Sequence, residues 1–422
     1  MKPTLAARPL LAAWMLFLSL AAAASNDSDS PTLPLSTDSA FNFQFLISLG
    51  DAITGGADIG PVLGAAKNVV PGDFASFSSQ FYALANDTKA QAADPENAYD
   101  GVNVRETWFS ASQDWDNPLI TSLWAEQTAA FNAAIAALPI PGQRVRFPAT
   151  KGNFTIDAIW YAASTDPDAK LPTLVVGNGF DAAQEDSYHY FVASALAHGW
   201  NCITYEGPGQ PTIRREQNLG FIPDWENVVT PVVDYLLSEK ANVVDETRLA
   251  LVGNSFGGYL AARAVAFESR ISAAVLVDGV WDLYTGYSAQ LTPDIRAIYE
   301  AGNYSQFDQE LLSLRAAGKL SSDAAWGVDY GLWAFNTHSP SNFFNQTKEY
   351  QLESVVDQIN VPVFVGSAQF ENIFIGQPQQ VKDALGDKGT LHLFNGTAGY
   401  HCQTAAGQEM TRAVFAWLNK TL

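Results

Sequence analysis

Gly253-Asn254-Ser255-Phe256-Gly257 stands directly behind the apolar run Leu249-Ala250-Leu251-Val252 and just ahead of Tyr259-Leu260-Ala261-Ala262-Arg263-Ala264-Val265, which reads as a helix. A buried strand that ends at Val252 and a helix that starts at once leave room only for a sharp turn. A serine on such a turn must take strained backbone angles, so its neighbours have to be small. Gly253, Gly257 and Gly258 meet that need. The turn lifts the Ser255 hydroxyl clear of the sheet and aims the first helical N–H groups at whatever the hydroxyl attacks. The pentapeptide alone would be a weak signal, since short glycine-serine strings arise by chance. Strand, turn and helix together predict a nucleophilic serine.

The rest of the chain fits a sheet built around that turn. Arg144 to Phe147 and Phe154 to Tyr161 alternate as a pair of antiparallel strands. Six short apolar runs follow, separated by helical stretches such as Tyr190 to Ala197 and Val228 to Leu237. They are Leu174–Val176, Cys202–Tyr205, Leu249–Val252, Ala273–Val277, Val361–Val365 and Leu391–Phe394. This pattern predicts an α/β fold with a mostly parallel eight-stranded sheet and helices on both faces. Residues 41–142 have helical periodicity and read as an N-terminal domain or lid. The segment 287–347 is helical and rich in Trp, Tyr and Phe, and reads as a cap over the carboxyl edge of the sheet. The core is then 143–286 together with 348–422.

Residues 1–24 have a basic start (Lys2, Arg8), an apolar middle and the small-residue sequence Ala22-Ala23-Ala24, as an export signal does. The apolar run falls short of the ~18 residues of a spanning helix. No stable membrane insertion is therefore expected once the signal is removed. Residues 25–40 read as a flexible leader. Seven N-x-S/T sequons, at Asn26, Asn86, Asn153, Asn303, Asn345, Asn395 and Asn419, agree with a secretory route, secreted or lumenal. The formal net charge of −21 repels phosphate backbones, which argues against a nucleic-acid partner. A small-molecule substrate is expected, and a homodimer is left open. Cys202 and Cys402 allow at most one disulfide and read as buried thiols.

A serine hydroxyl needs an adjacent base, and on this kind of sheet the partners follow in the order serine, acid, histidine. Five histidines are present: His189, His198, His338, His392 and His401. His401 follows the last strand by a few residues, ahead of the final helix Met410 to Leu418, where an imidazole can lean back over the serine. His392 lies within the last strand, and His198 precedes a glycine at a helix end. For the acid, Glu371 lies just past the Val361–Val365 strand. Asp278 at the end of the preceding strand and Asp282 nearby are its rivals. An oxyanion hole is expected from the N–H of Phe256 and that of Phe180, in the loop Gly177-Asn178-Gly179-Phe180-Asp181. Tyr205-Glu206-Gly207-Pro208-Gly209-Gln210 lacks the basic residue of a phosphate cradle and reads as pocket floor. No metal-ligand spacing is evident, and no cofactor is expected.

Five segments occur in a fixed order: Gly-Asn-Gly-Phe-Asp at 177–181, Tyr-Glu-Gly-Pro-Gly-Gln at 205–210, Gly-Asn-Ser-Phe-Gly-Gly at 253–258, Ile-Phe-Ile-Gly-Gln-Pro at 373–378 and Gly-Tyr-His-Cys-Gln at 399–403. Together they resemble the α/β-hydrolase group that contains 2,6-dihydropseudooxynicotine hydrolase and the fungal hydrolases of polyketide and fusarin pathways. The likeness runs from about Asn103 to the C-terminus. It implies an α/β-hydrolase fold and a Ser255–Glu371–His401 triad, with Glu371 where the group usually has Asp. It also implies hydrolysis of a ketone-adjacent C–C, ester or lactone bond in a small apolar metabolite. Alternatives from the residues alone are a secreted carboxylesterase or prolyl-peptidase-like exopeptidase, and a binding or cyclisation scaffold that hydrolyses nothing.

Overall fold

Eight strands form one sheet in the computed structural model, which describes residues 31–113 and 121–422. They are β1 (Gln143–Pro148), β2 (Thr155–Tyr161), β3 (Leu171–Gly177), β4 (Asn201–Glu206), β5 (Val244–Asn254), β6 (Ala273–Val277), β7 (Val363–Ala368) and β8 (Gly389–Phe394). Their order across the sheet is β1-β2-β4-β3-β5-β6-β7-β8. Strand β2 pairs antiparallel with both neighbours, and every pairing from β4 to β8 is parallel. Parallel strands with helices on both faces are buried on both sides, which is why Leu174–Val176, Leu249–Val252 and Ala273–Val277 are uninterrupted apolar runs with no accessible surface. The edge strand β8 leaves His392 and Leu393 exposed.

Strand β3 has β4 on one side and β5 on the other. The chain leaves β3 for β4 on one side and leaves β5 for β6 on the other, and a crevice opens beyond the carboxyl ends of β3 and β5. Open α/β sheets bind ligands at such a point. The Gly177–Asp181 loop and Ser255 both lie there.

Residues Leu35–Leu422 form one unit, and residues 31–34 belong to another. The first helix, Ser39–Asp51, starts within the stretch expected to be leader, because Asp38 caps it by accepting the Phe41 N–H. Ser39 and Asp38 also bond Asp323 and Ser322 of the helix Ser322–Ala334 (2.8 and 2.6 Å), so the N-terminal helices are fastened to the insertion. Further along, Phe109 stacks on Tyr188 at 4.2 Å and Thr54 Oγ1 lies 2.7 Å from His189 Nδ1. Burial pushes His189 down to about 3, so its ring is neutral.

The insertion starts at Leu283, a little before the expected 287. It consists of helices Leu283–Ser288, Pro293–Glu300, Tyr304–Ala316, Ser322–Ala334 and Pro340–Thr347. The export segment at 1–24 and Asn26 lie outside the described residues. Asn86, Asn153, Asn303, Asn395 and Asn419 are exposed. Asn345 departs from the sequon reading: it is half-buried, and its side-chain oxygen accepts the Tyr299 hydroxyl at 2.7 Å. Both cysteines are free, Cys202 buried in β4 and Cys402 partly exposed.

Candidate active site

The turn after β5 is shaped by what its glycines must admit. Ser255 has φ +57°, the left-handed region that a side chain rarely adopts. A Cβ on Gly253 would sit 1.9 Å from the Gly257 carbonyl oxygen, and one on Gly258 would sit 1.9 Å from the Asp278 carbonyl oxygen. The helix Gly257–Val265 therefore lies directly against the end of β6. Ser255 N–H donates to the Val277 carbonyl, which ties the turn to the same strand.

His401 arrives from the far side, on a short turn between β8 and the last helix, Gly407–Thr421. The residues behind it are held in unusual conformations: Cys402, Gln403 and Ala405 have φ of 53°, 52° and 63°. The Phe370 N–H donates to the Gly399 carbonyl at 2.7 Å, joining the His401 loop to the loop after β7. His401 Nε2 lies 2.9 Å from Ser255 Oγ.

Two carboxylates meet the other ring nitrogen. Glu371 Oε2 lies 2.7 Å from His401 Nδ1, and Asp278 Oδ2 lies 3.1 Å from it. Glu371 is further held by the N–H groups of Ile373 and Phe374 on its second oxygen, at 2.8 and 2.9 Å. Asp278 has no accessible surface; Oδ2 accepts the Cys402 N–H at 3.2 Å, and Oδ1 has no partner among the described residues. Asp282 is elsewhere: its carboxylate caps the helix Leu283–Ser288 by accepting the Thr285 N–H.

Burial pushes Asp278 up to about 6, and repulsion from Glu371 adds to this. Burial would also raise Glu371, but the His401 charge and the hydrogen bonds it accepts outweigh that and hold it well below the usual carboxylate range. For His401, burial disfavours the charge; the Cys402 sulfur and the two carboxylates oppose it and carry its pKa well above the ordinary value. Burial raises the Cys402 thiol to about 11. Asp278, His401 and Cys402 also bring three potential metal-ligand atoms within 4.8 Å of one another, though the His401 nitrogens are engaged by Ser255 and Glu371.

The loop after β3 completes the floor. A Cβ on Gly179 would lie 2.7 Å from the Phe256 nitrogen, so this loop packs against the serine turn. Among the described residues, the N–H groups of Phe180 and Phe256 donate no hydrogen bond. Gln210 Nε2 donates to the carbonyls of Asn178 (2.8 Å) and Gly179 (3.3 Å), and Gln210 Oε1 accepts the Gly207 N–H. In a trans peptide the carbonyl and N–H point opposite ways, so the Gly179 bond fixes the Phe180 N–H to point away from Gln210. Sequence reasoning missed this clamp, although its signal lay at the end of the 205–210 segment.

The insertion forms a wall of aromatic rings. Phe180 lies edge-on to Tyr330 (5.0 Å), Tyr287 (5.3 Å) and Trp326 (5.8 Å), and Phe374 lies 6.0 Å from the His401 ring. A separate groove of about 960 Å³ lies between the N-terminal helices and the sheet, lined by Thr54, Arg105, Glu106 and Tyr188 and by none of the site residues.

A parallel sheet with this strand order, a serine on a left-handed turn after β5 and an imidazole beyond β8 define an α/β-hydrolase. The model of the alpha/beta hydrolase family matches residues 174–397, and the chain belongs to that family and is a hydrolase. It is similar to Hydrolase LUC6 of Fusarium sp, 29% identical over 407 residues, covering 90% of this chain and 96% of that one. It is also similar to 20-hydroxy-prefusarin hydrolase FUS2 of Gibberella moniliformis, 28% identical with the same coverage. Among solved structures, 2,6-dihydroxy-pseudo-oxynicotine hydrolase shares the fold with a TM-score of 0.67 at 17% identity, over 88% of this chain and 95% of that one.

Proposed function

We propose that this chain is a serine hydrolase that cleaves a ketone-adjacent C–C, ester or lactone bond of a small apolar metabolite in fungal secondary metabolism. The observation that carries the reading is the relay of two contacts, 2.9 Å from Ser255 Oγ to His401 Nε2 and 2.7 Å from His401 Nδ1 to Glu371. In this reading His401 takes the Ser255 proton as the oxygen attacks a carbonyl carbon, and Glu371 steadies the imidazolium that forms. The N–H groups of Phe180 and Phe256 hold the developing oxyanion, and His401 returns its proton to the leaving group.

The substrate class rests on the wall around the serine. Rings from Tyr287, Trp326, Tyr330 and Phe374 favour a flat, apolar substrate over a peptide. Asp181 and Tyr287 both lie within electrostatic reach of His401 and offer polar handles beside the reacting bond. The fungal relatives support a biosynthetic setting, and one of them is named for 20-hydroxy-prefusarin. The basic start, apolar middle and Ala22-Ala23-Ala24 of residues 1–24 support a place in the secretory pathway. Purified protein incubated with an aryl ester, a lactone and a β-diketone tests the reading by mass spectrometry of the products. At least one should be cleaved, with Ser255→Ala at least about 10³-fold slower. Equal rates for wild type and variant would rule the serine mechanism out.

A further inference from the structure

The second carboxylate on His401 has no place in a three-residue relay. Glu371 already occupies Nδ1 at 2.7 Å and takes two backbone N–H groups on its other oxygen, so one acid suffices to orient the ring. Asp278 nevertheless puts Oδ2 3.1 Å from the same nitrogen, from a site with no solvent contact and with Oδ1 unpartnered among the described residues. Burying a carboxylate in this way is unfavourable unless a nearby positive charge offsets it. Among the described residues, the only cation within reach here is a protonated His401. Asp278 is also held firmly, because Gly258 abuts its carbonyl and the Cys402 N–H bonds its side chain.

Resting on the serine-hydrolase reading, we propose that Asp278 is a positioning residue that sets the basicity of His401. Asp278 and Glu371 act as a pair of carboxylates on one ring nitrogen, and the pair fixes the pH at which the imidazole becomes a free base. The groups facing His401 are Glu371 from the loop after β7, Asp278 from the end of β6, Cys402 beside it, Asp181 from the loop after β3 and Tyr287 from the insertion. Of these, Glu371 and Asp278 alone combine hydrogen-bond contact with Nδ1 and a negative charge. The sign follows from charge: each carboxylate favours the imidazolium, so the acid limb of kcat/KM, which rises as His401 loses its proton, lies at higher pH with two carboxylates than with one. The relay therefore switches on above the range of a triad with a single acid.

The experiment measures kcat/KM for an aryl ester from pH 4 to pH 10 and, in parallel, the pH dependence of Ser255 labelling by a fluorophosphonate, which needs the base but no turnover. Asp278→Asn keeps the shape and removes the charge. Its acid limb should move to lower pH by about one to three units, while its plateau falls by less than about tenfold. A purely structural role would lower the plateau without moving the limb, and a limb superimposed on that of wild type overturns the proposal. Glu371→Gln gives a second reading that does not depend on the folding of the Asp278 variant. Its limb should stay above about 6.5, the ordinary imidazole value, because Asp278 remains on Nδ1. A limb at or below that value overturns the proposal as well. Wild-type protein that never labels would sink the hydrolase reading itself, whereas labelled protein with unmoved limbs sinks this inference alone.

Discussion

Two clusters of buried carboxylates sit on this sheet, and they differ in the cation that neutralises them. On the β1–β2 side, Arg144 pairs with Glu185 and with Asp157 (3.4 Å), Arg146 bonds Asp157 at 2.6 Å, and Gln184 bonds both Asp157 and Glu206. At the ends of β6 and β7, Asp278 and Glu371 converge on His401. A guanidinium stays protonated across the whole accessible pH range and spans two carboxylates with a rigid fork of donors. It suits the first cluster, which braces the chain between β3 and β4, the same stretch that carries Gln184 and the Gly177–Asp181 loop. An imidazole can lose its proton. The same local excess of negative charge then becomes adjustable, and a structural ion cluster becomes a candidate acid–base site.

Removing one cation should separate the two clusters most strongly. Arg144→Met would leave Glu185, with no accessible side-chain surface, without its partner. Breaking a buried pair in this way costs about 3–5 kcal/mol, and urea melts should show a loss of that size. A loss under about 1 kcal/mol would mean the cluster is not structural. On the other side, Glu371→Gln should lower kcat by about 10²- to 10³-fold and affect stability much less. Neutralising the acid of a serine triad lowers kcat by about 10⁴-fold, and here Asp278 still holds Nδ1. The same variant has a smaller effect at low pH. Glu371 is depressed in the fold, so it contributes stability above about 4.3 and loses that contribution as pH falls towards its folded value. The stability gap between wild type and Glu371→Gln should therefore close in acid. A gap that widens as pH falls would show the opposite shift.

Much of the fold is legible because each strand announces itself locally. The double-faced burial of β3, β5 and β6 writes continuous apolar runs, whereas β2, expected to alternate, is buried at every residue from Ile156 to Tyr161 and the edge strand β1 keeps exposed positions. Ser255 was equally visible, since the glycines around it answer to steric demands within a few residues. The carboxylates were not. Asp278 and Glu371 were weighed as rivals, yet both lie on one nitrogen, because the end of β6 and the loop after β7 are adjacent only in the folded sheet. Nor does a sequence record that Asp282 faces its own helix, that Tyr299 takes the Asn345 amide, or that Gln210 reaches back across the sheet to two carbonyls. The last two depend on a partner far away in the chain, whereas Asp282 caps its helix through Thr285, three residues on.

Everything catalytic proposed here requires a Ser255 oxygen made reactive by His401. Incubation of the folded protein with a fluorophosphonate, followed by peptide mapping, reads that reactivity directly. The account predicts one adduct, on the peptide carrying Ser255, absent in Ser255→Ala and formed at least about 10³-fold more slowly in His401→Ala. Wild-type protein that acquires no adduct, or an adduct that persists in Ser255→Ala, would contradict it.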